Sequence, residues 1–183
     1  MRIYGNRLLK TLPGDNTRPT SAKVREALFN IWQGNLKEAH WLDLCAGNGT
    51  IGAEALCRGI TYLVGIEKYP KACRIIQENW QKVASLEQEF RVLKGDVQEK
   101  IKALQGEEFH FIYFDPPYGS DLYDSILRSI VELKLLAVEG EIAVEHDPKQ
   151  WNNHEIEGLE LIRQKKYGNT YLTFFQTLYS NSN

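Results

Sequence analysis

Trp41-Leu42-Asp43-Leu44-Cys45-Ala46-Gly47-Asn48-Gly49-Thr50-Ile51-Gly52 is the stretch on which the fold turns. Trp41–Cys45 reads as a short buried strand. Gly47, Gly49 and Gly52 complete a G-x-G-x-x-G pattern. A helix-like run, Ala53–Arg58, follows and is ended by Gly59. Glycines permit a tight turn and let a ligand approach the backbone closely. The free N–H groups of the new helix then face that ligand. A purely structural loop is the bland alternative. Context argues against it: a second strand, Tyr62–Ile66, ends in Glu67, 20 residues after Gly47. An acid there can accept both hydroxyls of an adenosine ribose.

That spacing suits NAD as well as S-adenosylmethionine, and three features favour the second. Asp43 lies four residues before Gly47. Its carboxylate suits the cationic amino end of a methionine and would repel a pyrophosphate. A third strand, Phe90–Leu93, leads to Gly95-Asp96, where an acid can accept from an adenine amino group. Asp96 can equally cap the helical segment Val97–Leu104. The fourth strand, Phe109–Phe114, ends in Asp115-Pro116-Pro117-Tyr118. Neither proline has an N–H for a sheet ladder, so the strand stops at a stiff turn. A carboxylate, bare carbonyls and a ring at the carboxyl end of a parallel strand can hold an exocyclic amino group and stack on its base.

The chain resembles a family at this point. Arg18-Pro19-Thr20-Ser21-Ala22-Lys23-Val24-Arg25-Glu26-Ala27-Leu28-Phe29-Asn30-Ile31, the Asp43–Gly52 block with Glu54-Ala55-Leu56 and Arg58-Gly59, and Asp115-Pro116-Pro117-Tyr118 are similar to the RsmD family. Its members are guanine-N2 methyltransferases of bacterial small-subunit ribosomal RNA. The resemblance runs from about Arg2 to the last strand. Cys45 stands where a larger apolar residue is usual, and Asn48 where serine is. The N-terminal hairpin is less basic than is typical. The resemblance implies a Rossmann-like class I methyltransferase, an α/β fold with a doubly wound, mostly parallel seven-stranded sheet and one antiparallel strand. It implies S-adenosylmethionine as cofactor, held by Asp43, Ala46, Gly47, Asn48, Gly49, Glu67, Lys68, Asp96, Val97 and Asp115. Asp115, Pro116, Pro117 and Tyr118 form the catalytic set. Arg2, Arg7, Lys10, Arg18, Thr20 and Tyr118 meet the RNA. Other amino targets of Asp-Pro-Pro-Tyr enzymes, adenine-N6 in DNA or a glutamine amide, stay open.

The 183 residues suffice for one well-buried domain and not for two. The expected division is a basic hairpin over residues 1–17 and a methyltransferase domain over 18–183. Little chain remains for a DNA-reading module, which favours a substrate with its own shape, such as ribosomal RNA within an assembling particle. Net charge is −2, yet residues 1–37 carry seven basic and two acidic side chains, +5 against −7 elsewhere. A basic end on an acidic body is a local footprint for phosphates, or else a solvated tail. Arg163, Lys165 and Lys166 form a smaller cluster. No stretch is long and apolar enough for a membrane span, and no signal-peptide core opens the chain. The odd set of Cys45, Cys57 and Cys73 reads as reduced core or near-site residues of a cytoplasmic protein, and a monomer is expected. His40, His110, His146 and His154 lack ligand spacing, so no metal is expected; His146 reads as a hydrogen-bonded structural histidine.

Helices are expected from Thr20 or Ser21 to about Gln33, with Val24, Ala27, Leu28 and Ile31 inward, and over Pro70–Ala84 and Leu122–Leu136. Strands are expected over Glu141–Glu145, Leu159–Lys166 and Tyr171–Tyr179, the last two turning at Gly168-Asn169.

Overall fold

Alternate residues of each central strand go to opposite faces of one sheet. Trp41, Leu63, Phe111 and Tyr113 join one core. Leu42, Leu44, Val64, Ile66, Ile112 and Phe114 join the other. Strands buried on both faces need near-continuous apolar sequence, as these have.

A computed structural model describes residues 1–11, 21–117, 119–152 and 155–178. In chain order the elements are β1 (Arg2–Ile3), β2 (Arg7–Leu8), α1 (Ala22–Ile31), β3 (His40–Leu44), α2 (Thr50–Cys57), β4 (Tyr62–Glu67), α3 (Pro70–Val83), β5 (Glu89–Lys94), α4 (Val97–Lys100), β6 (Phe109–Phe114), α5 (Leu122–Glu132), β7 (Leu136–His146), β8 (Leu159–Tyr167) and β9 (Thr170–Thr177). Short 3-10 turns at Tyr4–Asn6 and Ile101–Leu104 complete the set.

The main sheet has the order β5-β4-β3-β6-β7-β9-β8. Among the described strands only β9 runs against both its neighbours, pairing antiparallel with β7 and β8. The fold class is therefore as the sequence implies. From β3 the chain winds outward through β4 and β5, then returns to place β6 on the other side of β3. That reversal opens a crevice beyond the carboxyl ends of β3 and β6, where doubly wound sheets bind ligands.

Several boundaries differ from the sequence reading. The α1 helix stops at Ile31 rather than Gln33, capped at its start by Ser21 Oγ, which accepts from the Val24 N–H at 3.2 Å. Its buried residues are Val24, Arg25, Leu28 and Phe29; Ile31 is partly buried against the same core, and Ala27 is partly exposed. The α2 helix opens at Thr50, so Gly52 lies inside it. Asn48 Oδ1 accepts from Thr50 N at 3.2 Å and starts the helix early. The α5 helix ends at Glu132, because Leu135 is caught by the sheet, its carbonyl accepting from Phe109 N at 2.8 Å. Leu136 instead begins β7, which bends through Glu139 at φ 60.

The hairpin β1–β2 forms its own two-stranded sheet. Ile3 and Leu9 sink into the core beneath α1. Arg25 holds the hairpin from below. Its guanidinium pairs with Glu54 at 2.7 Å and donates to the Arg2 carbonyl at 3.1 Å. Glu54 also takes Arg58 at 2.9 Å, and Arg58 lies over the Tyr4 ring. Arg25 is thus buried, and one of the seven N-terminal cations leaves the phosphate footprint expected from charge. The expected division at residue 17, with the Pro13-Gly14-Asp15 loop, falls outside the described residues. On the far edge, β8 carries Arg163, Lys165 and Lys166; Arg163 lies 3.8 Å from Glu141. Lysines on an edge strand discourage pairing with another sheet.

Candidate active site

Three strand ends build the crevice. β3 delivers Asp43, then turns at Cys45, whose φ of 62 is left-handed. Ala46 N donates to the Ile66 carbonyl at 3.0 Å, pinning the loop to β4. Gly47 N donates to Glu67 Oε2 at 2.9 Å, and Tyr69 N donates to Glu67 Oε1 at 2.9 Å. Both oxygens of Glu67 are therefore fixed by backbone before any ligand arrives, each with a lone pair to spare. The separation of 20 residues seen in the sequence is closed by one hydrogen bond.

Asp43 is 1% exposed and accepts from Gly52 N at 3.2 Å. Burial pushes its carboxyl up to about 7, with Glu67 adding repulsion and the Gly52 N–H offsetting part. Cys45 reports how the acids converge. Burial raises its thiol first, then Glu67, Asp115 and Asp43 in that order, while Lys68 opposes them. Carboxylates from β3, β4 and the end of β6 thus all act on one residue.

The three glycines divide their labour. A Cβ on Gly47, at φ 58, would meet nothing within 4 Å. This is the glycine with open space above it. Gly49 and Gly52 instead face Trp80 on α3, where a Cβ would fall 2.8 Å and 2.6 Å from ring atoms. Gly65 on β4 faces the same ring, and Trp80 Nε1 donates to the Gly49 carbonyl at 2.8 Å. Sequence reasoning missed this socket, since nothing local says that a helical tryptophan will meet three distant glycines.

Asn79, also on α3, was missed too. Its Oδ1 accepts from Lys10 N at 2.9 Å, and its Nδ2 donates to the Lys10 and Asn48 carbonyls at 3.0 Å. A buried polar side chain on an amphipathic helix was the available signal.

Asp115 N reaches the Leu44 carbonyl at 3.5 Å, holding the turn beside β3. Pro116 is buried, Pro117 is exposed, and the Pro117 carbonyl accepts from Ser120 N at 3.2 Å. Beneath the turn, Tyr113 OH donates to Glu145 Oε2 at 2.5 Å. Asp96 caps α4, its Oδ1 accepting from Gln98 N at 2.9 Å. The Val97 side chain is committed to the core. Lys68 is exposed, its ammonium 5.1 Å from the Tyr69 ring. Arg2, Arg7 and Lys10 lie exposed on the hairpin. Arg18, Thr20 and Tyr118 lie outside the described residues. His146 is buried with Nε2 2.8 Å from Thr173 Oγ1, and burial lowers its pKa.

Among the described residues no group of three or more His, Cys, Asp or Glu is placed to hold a metal. No helix among them is long and apolar enough to cross a membrane.

A switch-point crevice lined by acids, with an Asp-Pro-Pro turn at its lip, defines a Rossmann-like methyltransferase domain. The structure of "Putative methyltransferase yhhF" from Escherichia coli superposes with a TM-score of 0.83 at 27% identity, covering 97% of each chain. Residues 1–176 match the family described as "Conserved hypothetical protein 95". "Putative rRNA methyltransferase YlbH" of Bacillus subtilis is 31% identical over 172 residues, 93% of either chain. "Ribosomal RNA small subunit methyltransferase D" of Escherichia coli is 29% identical over 167 residues, 84% of this chain and 82% of its own. The chain belongs to this family, the RsmD family.

Proposed function

We propose that this protein transfers a methyl group from S-adenosylmethionine to the exocyclic N2 of a guanine in small-subunit ribosomal RNA. The placement of Asp43, Glu67 and Asp115 on the adjoining ends of β3, β4 and β6, tied to the glycine loop and to Leu44 by backbone hydrogen bonds, carries the reading. The names of the family relatives support RNA as substrate, and the resemblance supports guanine-N2.

The residues present fit the cofactor. Open space over Gly47 admits a ligand against the backbone. Asp43, its carboxyl raised by burial, gains a partner when an ammonium group arrives, which favours its charged form. A pyrophosphate would meet repulsion there. Glu67 takes the ribose hydroxyls on its remaining lone pairs. Ala46, Asn48 and Gly49 present the loop backbone. Lys68, Asp96 and Val97 border the adenine side. Bound S-adenosylmethionine supplies a sulfonium-activated methyl group.

Asp115 and the Pro116 carbonyl accept the two N–H bonds of the guanine amino group. That nitrogen is a poor nucleophile, because its lone pair is delocalised into the ring. Holding both hydrogens aims the remaining density along one line, and such positioning supplies much of the barrier reduction. Pro117 stiffens the turn, and Tyr118 stacks on a base splayed from its helix. No strong base is needed before transfer, since the amine becomes acidic only once methylated. Arg2, Arg7, Lys10, Arg18 and Thr20 hold the RNA from residues 1–17 and their flank, while residues 18–183 form the catalytic domain. The enzyme works as a cytoplasmic monomer on an assembling particle.

The test is transfer of labelled methyl to small subunits from a strain lacking the gene, with nucleoside mass spectrometry of the product. N2-methylguanosine is expected. Methyladenosine, or label in protein, overturns the assignment.

A further inference from the structure

The cations of α3 are not used by the site above. Lys71, Arg74, Glu78 and Lys82 recur at helical spacing along its exposed face. At about 1.5 Å per residue, this row is about 16 Å long. Glu78 is the row's one acid, and Lys10 of the hairpin pairs with it at 2.5 Å. At the same end, Lys82 Nζ donates to the Leu8 carbonyl at 2.7 Å. The hairpin therefore docks on α3 in the way that cancels the row's negative charge.

The other end of the row opens into a cavity of about 290 Å³ between α3 and β5, lined by Pro70, Cys73, Arg74, Gln77, Val92 and Lys94. Arg74 and Lys94 approach it from the helix and from the edge strand respectively. Gln77 adds an amide donor. Pro70, Cys73 and Val92 form its apolar floor, and Arg74, Gln77 and Lys94 place polar groups around it. Two cations and an amide around an open groove match phosphate oxygens.

We propose that this α3–β5 groove, reached along the cationic face of α3, binds the sugar–phosphate backbone of the RNA substrate. The inference rests on the RNA reading above and adds a second contact surface to the hairpin. The RNA path runs from Arg2, Arg7 and Lys10, over Lys82 and Arg74, to Lys94 at the carboxyl end of β5. Phosphate contacts of this kind set register without reading sequence.

The experiment measures binding of fluorescein-labelled small-subunit rRNA transcript across a salt titration, with S-adenosylhomocysteine calorimetry alongside. The double substitution Arg74→Ala/Lys94→Ala should weaken RNA binding about tenfold. It should reduce the log–log salt slope by up to about 1.4, at about 0.7 per phosphate on a single strand. Cofactor affinity should hold. Glu78→Gln should act oppositely, tightening RNA binding and steepening the slope by up to about 0.7, because it frees Lys10 and removes an acid. Wild-type transfer and RNA binding with no change in affinity or slope in either variant would overturn the groove alone. A wild-type protein that neither binds nor methylates the rRNA overturns the RNA reading and the groove together.

Discussion

The Asn79 side-chain amide donates to the Asn48 carbonyl at 3.0 Å, so the glycine loop is tied to α3 rather than standing free. The same amide holds both backbone groups of Lys10. One buried residue therefore joins the basic hairpin to the loop beneath the crevice.

Asn79→Leu removes three hydrogen bonds and leaves their backbone partners unpaired. Stability should fall by about 1–3 kcal/mol. Hydrogen exchange over residues 2–10 should quicken relative to the sheet. Unaltered exchange would show that Arg25 and Lys82 suffice to hold the hairpin.

Asp43 makes a prediction about pH. Its folded pKa of about 7 lies above the ordinary carboxylate value, so the folded state binds the extra proton. Stability attributable to this group is then present at low pH and lost as pH rises from about 4 to about 7. Asp43→Asn removes that loss while its amide oxygen can still accept from Gly52 N. The ligand-free variant should gain on the wild type across this interval and level off above it. The gain is up to a few kcal/mol, at about 1.4 kcal/mol for each pH step of one across the interval. S-adenosylmethionine affinity should fall in the same variant, most clearly above pH 7. Parallel denaturation curves at every pH would remove Asp43 as a buried titrating acid.

Gly65→Ala drives a methyl group into the six-membered ring of Trp80. Gly65 is an ordinary strand residue, so overpacking is the only penalty, about 1–3 kcal/mol. Adding Trp80→Phe should recover part of it. A double-mutant cycle reads the coupling, and strict additivity would mean that the socket is not tight.

Asp115→Ala should preserve the fold and leave cofactor binding largely intact, since Asp43, the glycine loop and Glu67 carry most of it. Methyl transfer in single turnover should drop on the order of a hundredfold or more, as the amino group loses a charged acceptor. Transfer at the wild-type rate would reduce Asp-Pro-Pro-Tyr to a rigid loop.

What the sequence determined by itself is whatever depends on neighbours along the chain. Apolar runs ending in Asp43, Glu67 and Asp115 make parallel strands whose carboxyl ends carry acids, because strand period and turn chemistry are local. The Asp96 cap was likewise legible, since cap and N–H lie two residues apart. Tertiary structure decided what depends on distant partners. Arg25 counted as a surface cation until Glu54 buried it. Leu133–Leu136 continued a helical pattern until β6 claimed the chain. Nor does the sequence show that α3 lays Trp80 against Gly49 and Gly52, with Gly65 as the third wall. The Asp43 carboxyl is pushed up to about 7 only through the desolvation that the assembled sheet imposes. Each outcome is set by a contact between segments that composition and periodicity do not order in space.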